Sequence, residues 1–118
     1  MGKTFIIAEA GINHNGSVKA ASKLIVSAKK CGADAIKFQS FVTEENITRN
    51  APKAAYQLKN SPSNETQFEM VKKLEFNEKD HHFLIKKCLE NNIEFMSSPF
   101  DIKSIKLLKK LSIKRFKI

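Results

Sequence analysis

The chain repeats one pattern along its length, in which a short apolar segment ends in polar residues and is followed by a helical period. In the first copy the apolar run 5–7 leads into the polar segment 8–17, and Ser17 can cap the helix that follows. Alternating strands and helices of this kind predict a parallel sheet with right-handed crossovers. In such sheets, binding and catalytic residues lie where a strand gives way to a helix.

Strands and helices are predicted from the periodicity and the turn residues. The predicted strands are Thr4–Ala8, Ala35–Gln39, Ile93–Ser97 and Ile113–Ile118. Helices are predicted after the N-cap residues Ser17, Asn77 and Asp101, with a shorter helix over Glu65–Leu74. Residues 40–64 lack a convincing period and are predicted to form a long active-site loop. The resulting α/β order fits either a doubly wound sheet or part of a (β/α)8 barrel.

The three longer helices each carry an apolar stripe that should face the core. The expected stripes are Val18, Ala21, Leu24, Ile25, Ala28 and Cys31 after Ser17, then Phe83, Leu84, Cys88 and Leu89 after Asn77, and Ile102, Ile105, Leu108 and Leu111 after Asp101. Both cysteines are therefore predicted to be small buried residues rather than disulfide partners or metal ligands. Gly32 should end the first helix. His14 is predicted to be a structural hydrogen-bonding residue, and His81 and His82 are predicted to face solvent.

Composition and charge narrow the classes of function. With 118 residues, of which 42% are hydrophobic, the chain should fold as one domain at most. Its net charge of +9 raises the question of nucleic-acid binding. However, the lysines occur in pairs on helix faces and are not interleaved with aromatic residues, since the chain has no tryptophan and 1 tyrosine. Nucleic acid is therefore not expected as a partner, whereas the same charge would attract an anionic small substrate. No apolar run is long enough for a membrane span and none is typical of a signal peptide, so no membrane association and a cytoplasmic location are expected.

Polar residues that could bind a substrate stand at the ends of the predicted strands. They are Glu9, Lys37 and Gln39, Ser98 after the third strand, and Lys117 in the fourth. Two lysines and a hydroxyl suit a phosphate or a carboxylate, and a glutamate and a glutamine could hold sugar hydroxyls or a metal-bound water. Glu9 could instead cap the following loop, and Lys117 could be a solvated residue of the basic tail. A lysine flanked by apolar strand residues, such as Lys37, is seldom buried without a function.

These motifs resemble a known family over essentially the whole chain. The segments that carry the resemblance are 7–16 (IAEAGINHNG), 32–39 (GADAIKFQ), 56–59 (YQLK), 65–70 (ETQFEM), 97–101 (SSPFD) and 116–118 (FKI). In this order they resemble the N-acetylneuraminate (sialic acid) synthases, which include the legionaminic and pseudaminic acid synthases. Segment 56–70 is more similar to the neuraminate and legionaminate branch than to the pseudaminate branch.

The resemblance implies a fold, a reaction and roles for individual residues. The implied fold is a (β/α)8 barrel, of which this chain is the first half, followed by a separate antifreeze-like domain. The implied reaction condenses phosphoenolpyruvate with N-acetylmannosamine or a related N-acetylated amino sugar and releases phosphate, assisted by Mn²⁺ or Mg²⁺. Lys37, Ser98 and Lys117 would bind phosphoenolpyruvate, Gln39 would contact the sugar, and Glu9 would be the catalytic carboxylate near the aldehyde.

The family pattern also includes groups that this sequence does not contain. A serine-bearing phosphate loop, two metal-binding histidines and an arginine would follow, so no metal ligand is expected in this chain. Position 98 is serine where threonine is common, which keeps the hydroxyl. We therefore expect residues 1–118 to form a partial barrel domain, without the C-terminal half-barrel and the antifreeze-like domain, that is inactive alone. The alternative is a non-catalytic half-barrel module that binds a phosphorylated ligand, or that assembles with another fragment or with itself through open barrel edges.

Overall fold

The computed structural model describes residues 2–59 and 64–118. Its strands are β1 (Ile7–Gly11), β2 (Ala35–Ser40) and β3 (Glu94–Pro99). Its helices are α1 (Val18–Lys30), α2 (Thr43–Asn46), α3 (Ala55–Leu58), α4 (Gln67–Lys72), α5 (Glu78–Glu90) and α6 (Ile102–Lys110). The strands form a parallel sheet in the order β1-β2-β3, with α1 between the first two strands and α6 after the third. This is the predicted alternation of strands and helices.

The strand register places polar residues from all three strands on one face of the sheet. Glu9 pairs with Lys37 across β1 and β2, and Gln39 pairs with Ser98 across β2 and β3. Paired residues share a face, and so do residues two apart in one strand. A register shift between Glu9 and Gly11 interrupts the first ladder just after the glutamate. The four predicted site residues of these strands therefore lie on the same side, near the carboxyl edge.

The opposite face of the sheet carries the hydrophobic core. Ile36 and Phe38 of β2 are buried there, and the Phe38 ring stacks on Phe95 with the centroids 5.5 Å apart. The helices add the fully buried residues Ile25, Leu84 and Leu108. Burying a side chain of this size is worth about 1.5–3 kcal/mol relative to leaving it exposed, so these contacts hold the helices on the sheet.

The first strand begins later than predicted. It spans Ile7–Gly11 rather than Thr4–Ala8, and Ile6 just before it is hydrogen-bonded both to Asp34, in the turn before β2, and to Ala35, the first residue of β2. The Ile6 amide donates to Asp34 Oδ2 at 2.8 Å, and the Ile6 carbonyl accepts from the Asp34 amide at 2.8 Å. This contact fastens the start of β1 beside the start of β2.

The predicted strand Ile113–Ile118 is reduced to one bridge, between Ser97 and Phe116. Its first residues belong to the end of α6 instead. Ser112 has a φ of 56°, and the Ile113 amide donates back to the Leu108 carbonyl at 3.5 Å. A left-handed residue with a back-donated bond is typical of a helix terminus, so the backbone is not extended there.

The predicted long loop over residues 40–64 contains the short helices α2 and α3. Each has 4 residues, about one turn, and so shows no period in the sequence. Residues 60–63 of the predicted loop lie outside the described residues. The predicted helix Glu65–Leu74 is confirmed as α4, which Thr66 caps by accepting from the Glu69 amide at 3.1 Å.

The inner faces of two helices differ from the predicted stripes. α5 buries His81, Leu84 and Cys88, which follow each other at intervals of three and four residues, and leaves Phe83 and Leu89 exposed. The prediction that His81 faces solvent is therefore wrong, whereas His82 is exposed as predicted. In α6 the buried residues are Ser104 and Leu108, so Ile102 and Ile105 of the predicted stripe point outward.

The two cysteines have different environments. Cys88 is buried, and burial raises the pKa of its thiol to about 12, as expected of an inert core residue. Cys31 was predicted to be buried and is exposed. It is the C-cap of α1, where the chain leaves the packed helix at Gly32, whose φ of 86° confirms the predicted helix end.

No helix among the described residues combines the length and the apolar composition that a membrane crossing requires.

Candidate functional site

The centre of the site is the ammonium group of Lys37. Lys37 Nζ lies 2.7 Å from Glu9 Oε2 and donates to Ser98 Oγ at 3.3 Å. The Lys37 side chain is only 16% exposed, whereas that of Glu9 is 52% exposed. The structure thus brings together three of the predicted residues, one from each strand. A partly shielded cation next to a hydroxyl can bind an anionic group that approaches from the open side.

Gln39 extends this cluster along β2. Its side chain makes no hydrogen bond within residues 2–59 and 64–118, so its amide can donate to and accept from a ligand. Gly11 lies beside it, and a Cβ at that position would be 3.1 Å from Glu9 Oε1 and 3.8 Å from Gln39 Nε2. The missing side chain at Gly11 therefore leaves room for the carboxylate beside the amide. The sequence signal for this role is a glycine two residues after the carboxylate at the end of the strand.

Lys117 is not brought into this cluster through its side chain. Its backbone amide donates to the Ser97 carbonyl at 3.1 Å, which places the residue next to β3. Its Nζ, however, donates to the carbonyl of Ile118 at 2.8 Å, and the residue is exposed. The predicted role of Lys117 in binding phosphoenolpyruvate thus stays a prediction.

Behind the site, a buried chain of hydrogen bonds joins β2, β3 and α5. Ser40 Oγ lies 2.7 Å from His81 Nε2 and 2.6 Å from Ser97 Oγ, and His81 Nδ1 lies 2.7 Å from the carbonyl oxygen of Asn77. Because a carbonyl only accepts, Nδ1 carries the proton, and because burial lowers the pKa of His81, the ring is neutral and Nε2 accepts from Ser40. The hydroxyl of Ser97 then donates to Ser40. Ser40 and Ser97 directly neighbour Gln39 and Ser98, so this network fixes the strand ends that carry the site.

We expect the folded chain to lose stability as the pH falls below about 6.5. Burial lowers the pKa of His81 and of His14 below the ordinary histidine value of 6.5. The unfolded chain therefore takes up protons below pH 6.5 that the folded chain does not bind. The contribution of the two buried neutral histidines to the free energy of unfolding is complete above that pH and declines below it. Urea unfolding midpoints at about pH 7.5 and pH 5.5 measure the effect.

Two adjacent histidines provide the matched variants for this experiment. His81→Gln removes the buried imidazole and should reduce the loss of stability in acid. His82→Gln, at the exposed neighbouring position, should leave that loss unchanged. Equal pH dependence in both variants would contradict the assignment.

The loop after β1 is held by a second buried histidine. His14 is 1% exposed, its Nδ1 accepts from the Gly16 amide at 2.9 Å, and its ring stacks on Phe76 with the centroids 4.1 Å apart. The prediction that His14 is a structural hydrogen-bonding residue is confirmed. Asn13 Nδ2 donates to the Ala10 carbonyl at 3.0 Å, which closes the turn directly after the Glu9 strand end.

The described residues do not form a metal site of their own. Over residues 2–59 and 64–118, no group of 3 or more histidine, cysteine, aspartate or glutamate side chains could hold a metal ion. Glu9 is the acidic residue of the cluster, and its carboxylate is paired with Lys37. Within the part of the chain that the structure describes, the donor set of the cluster does not by itself fit a divalent cation.

Comparison with known proteins agrees with the predicted family. The sequence model of the NeuB family matches residues 24–118. The chain is 51% identical over 118 residues to the N,N'-diacetyllegionaminic acid synthase of Campylobacter jejuni, covering 100% of this chain and 35% of that protein. It is 48% identical over 114 residues to the protein of the same name from Legionella pneumophila, covering 97% of this chain and 32% of that protein.

A solved structure agrees with the fold. The N-acetylneuraminic acid (sialic acid) synthetase of Leptospira borgpetersenii, in complex with citrate, superposes with a TM-score of 0.80 at 32% identity, over 99% of this chain and 36% of that chain. The chain thus spans about a third of the length of the curated relatives and of the structure it matches. The predicted fold class, parallel βα units of a (β/α)8 barrel, is confirmed. Since the family match includes most of its residues, the chain belongs to the NeuB family.

Proposed function

We propose that this chain carries the phosphoenolpyruvate side of a nonulosonic acid synthase site. The observation that carries the proposal is the position of Lys37 Nζ, which lies between Glu9 and Ser98 at the carboxyl edge of the sheet, 2.7 Å and 3.3 Å from their oxygens. The reaction joins C3 of phosphoenolpyruvate to the aldehyde carbon of an open-chain N-acetylated amino sugar. Water then adds at C2 and phosphate leaves.

Each residue of the cluster has a distinct role in this proposal. Lys37 and Ser98 bind the anionic groups of phosphoenolpyruvate through charge-assisted hydrogen bonds and stabilise the negative charge of the leaving phosphate. Gln39 hydrogen-bonds the sugar. Glu9 faces solvent on the open side of the cluster, where a carboxylate can orient a water or move a proton at the aldehyde oxygen. Lys117 supplies a further cation if its side chain turns away from Ile118.

The relatives favour a particular class of sugar. The two bacterial proteins described above are named as synthases of N,N'-diacetyllegionaminic acid, and they match almost the whole of this chain. We infer that the acceptor is an N-acetylated amino sugar of that type. The Mn²⁺ or Mg²⁺ that the resemblance implies would take its ligands from residues other than those described, and no step is assigned to it.

Lys37→Met is expected to weaken the binding of phosphoenolpyruvate to this chain by about 10- to 100-fold. A hydrogen bond to a charged group contributes about 1.5–3 kcal/mol, and 1.4 kcal/mol corresponds to a factor of ten in the dissociation constant. Titration of the purified 118-residue chain with phosphoenolpyruvate, followed by calorimetry or by amide chemical shifts, measures the change.

The matched control is Lys106→Met, which removes the same charge from an exposed position of α6. It should change the affinity by less than about twofold at physiological salt, since distant surface charges are screened. If both variants weaken binding equally, the ligand responds to net charge alone and the proposed site is wrong. Failure of the unmodified chain to bind phosphoenolpyruvate would also contradict the proposal.

The second candidate function is self-association through the edge strand β1. Phe5 and Ile6, just before β1, and Ile7, its first residue, are 44%, 49% and 45% exposed, and β1 has one strand neighbour, β2, in the described part of the chain. Unpaired apolar edges are templates for pairing with another chain. Sedimentation equilibrium should therefore detect dimers at high protein concentration, and Ile6→Lys should reduce them. A chain that stays monomeric at every concentration would reject this candidate.

A further inference from the structure

His81 is a buried polar side chain on the helix side of the sheet, outside the cluster around Lys37. It is 2% exposed, and none of the roles proposed above involves it. Its Nε2 lies 2.7 Å from Ser40 Oγ, which in turn lies 2.6 Å from Ser97 Oγ. We call these three linked side chains the buried hydrogen-bond chain.

The first turn of α5 holds the His81 ring in one orientation. Asn77 caps this helix, and its reciprocal hydrogen bonds with Asp80, at 2.8 and 3.0 Å, fix its backbone. The Asn77 carbonyl then accepts from the His81 amide at 3.1 Å and from His81 Nδ1 at 2.7 Å. The ring also makes an edge-to-face contact with Phe95, with the centroids 6.3 Å apart. Nε2 is therefore presented to the sheet from a fixed helix end.

At its other end the buried hydrogen-bond chain reaches the backbone that carries the site. Ser40 directly follows Gln39 in β2. Ser97 directly precedes Ser98 in β3. Neighbouring residues of a strand face opposite sides, so the two buried serines point toward the helices while Gln39 and Ser98 face the site. The Ser97 carbonyl also accepts from the Lys117 amide at 3.1 Å. A displacement of either buried serine would therefore move residues of the site.

The contact between Lys37 and Ser98 is sensitive to such a displacement. Ser98 Oγ accepts from Lys37 Nζ at 3.3 Å, whereas a well-formed charge-assisted hydrogen bond is about 2.7–2.9 Å long. A contact of about 3.6 Å no longer counts as a hydrogen bond. A shift of a few tenths of an ångström in β3 therefore decides whether the ammonium and the hydroxyl can bind one anionic group together.

Stability alone does not explain why these three side chains are polar. The net contribution of a buried hydrogen bond to stability is small, and apolar groups of the same shape can replace a bonded pair at little cost. Hydrogen bonds are directional, however, so a fully satisfied buried network specifies one arrangement of the elements that it joins. His81, Ser40 and Ser97 all have partners. The arrangement that they specify is the position of the ends of β2 and β3 relative to α5.

We propose that His81 is a positioning residue for the binding of phosphoenolpyruvate, and that it sets the place of Ser98 beside Lys37 through the buried hydrogen-bond chain. This rests on the proposed function, because it assumes that Lys37 and Ser98 bind phosphoenolpyruvate. His81 itself contacts no ligand. Its replacement weakens the binding of phosphoenolpyruvate by chains that remain folded.

His81→Leu removes both ring nitrogens and is expected to raise the Kd of phosphoenolpyruvate for the 118-residue chain by about tenfold, roughly the effect of one hydrogen bond to a charged group. His81→Gln can keep an acceptor for Ser40 near the position of Nε2, and should restore the Kd to within about threefold of the unmodified chain. Calorimetric titration at about pH 7.5 measures each Kd, and urea unfolding measures the stability of each variant.

Cys88→Ala is the matched control for lost stability. Cys88 lies on the same buried face of α5, is 1% exposed, and does not belong to the buried hydrogen-bond chain. Its truncation should lower the free energy of unfolding, as the deletion of buried atoms does, and should leave the Kd of phosphoenolpyruvate unchanged. If Cys88→Ala and His81→Leu weaken binding in proportion to their loss of stability, His81 is a structural residue only and the inference is wrong.

Ser98→Ala provides a readout that a merely structural residue would not change. Because His81 acts through the Ser98 hydroxyl, His81→Leu should weaken binding by less than about twofold once that hydroxyl is absent. A loss of about tenfold in the Ser98→Ala background would overturn the inference, since the two effects would then be independent. Should His81→Leu fail to fold, Ser97→Ala breaks the same chain of hydrogen bonds and is measured in the same two backgrounds, with the same expectation.

The outcomes also separate this inference from the proposed function. If the unmodified chain binds phosphoenolpyruvate and neither His81→Leu nor Ser97→Ala changes the Kd, the positioning role alone is rejected. If the unmodified chain does not bind phosphoenolpyruvate, the proposed function is rejected, and the inference with it.

Discussion

Gly16→Ala is expected to destabilise the fold by on the order of 4 kcal/mol, at the upper end of what single substitutions do. Gly16 has a φ of 78°, and a Cβ there would lie 2.0 Å from the carbonyl oxygen of Lys73 and 3.1 Å from its carbonyl carbon. Both are backbone atoms, so no side-chain rotation relieves the overlap. The turn after β1 would have to separate from the end of α4. Urea unfolding followed by circular dichroism measures the loss.

Gly32→Ala is the matched control for this substitution. Gly32 has a φ of 86°, also in the left-handed region, but a Cβ at that position would meet nothing within 4 Å. It should cost only the conformational penalty of a left-handed alanine, about 1–2 kcal/mol. If the two variants unfold at the same denaturant concentration, the close approach of Gly16 to Lys73 does not contribute, and backbone conformation alone explains both.

Gly16 and His14, in the segment Asn-His-Asn-Gly over 13–16, have a structural role in the loop after β1. Gly16 allows the turn to approach α4, its amide donates to His14 at 2.9 Å, and His14 stacks on Phe76. The segment thus fixes the loop that follows Glu9, rather than supplying a second reactive group. A residue pattern that suggests chemistry in the sequence serves here to position a neighbouring carboxylate.

The centre of the site could be predicted from the sequence because the face of a strand on which a residue lies depends only on its position along that strand. Lys37 and Gln39 are two residues apart, so any strand through them places both on one face. Ser98 follows a recognisable strand that ends at a proline, and parallel strands align their carboxyl ends. These positions need no knowledge of how the helices pack.

Other features depend on tertiary contacts, and periodicity alone could not reveal them. His81 is predicted to face solvent because it stands near the start of a helix, although it lies three and seven residues before Leu84 and Cys88 on the buried face of α5. α2 has 4 residues and is held by Glu75 and Asp101, which are distant in sequence. The segment 113–118 is predicted as a strand, but its first residues end α6, because the Ile113 amide donates back to the Leu108 carbonyl.

Ser40→Ala is expected to cost about 2–4 kcal/mol, because it removes the middle member of the buried hydrogen-bond chain. The carbonyl of Asn77 fixes the proton on His81 Nδ1, so Ser40 donates to Nε2 and accepts from Ser97. Without the Ser40 hydroxyl, both His81 Nε2 and the Ser97 hydroxyl lose their partner, and both residues are buried, at 2% and 0% exposed. The free energy of unfolding in urea at about pH 7.5 measures the cost.

Ser97→Ala tests which group donates each of these buried hydrogen bonds, since it leaves the Ser40–His81 hydrogen bond intact. It should cost only about 1 kcal/mol, the net value of one hydrogen bond. The double variant Ser40→Ala/Ser97→Ala should be less destabilised than the sum of the single variants, because the second substitution removes a hydroxyl that the first leaves unpaired. A cost for Ser97→Ala equal to that of Ser40→Ala would mean that the hydrogen bonds are donated in the opposite direction, from His81 Nε2 to Ser40 and from Ser40 to Ser97. The strand ends that carry Gln39 and Ser98 would then be held by a protonated imidazole, and the stability of the site would no longer decline as the pH falls below 6.5.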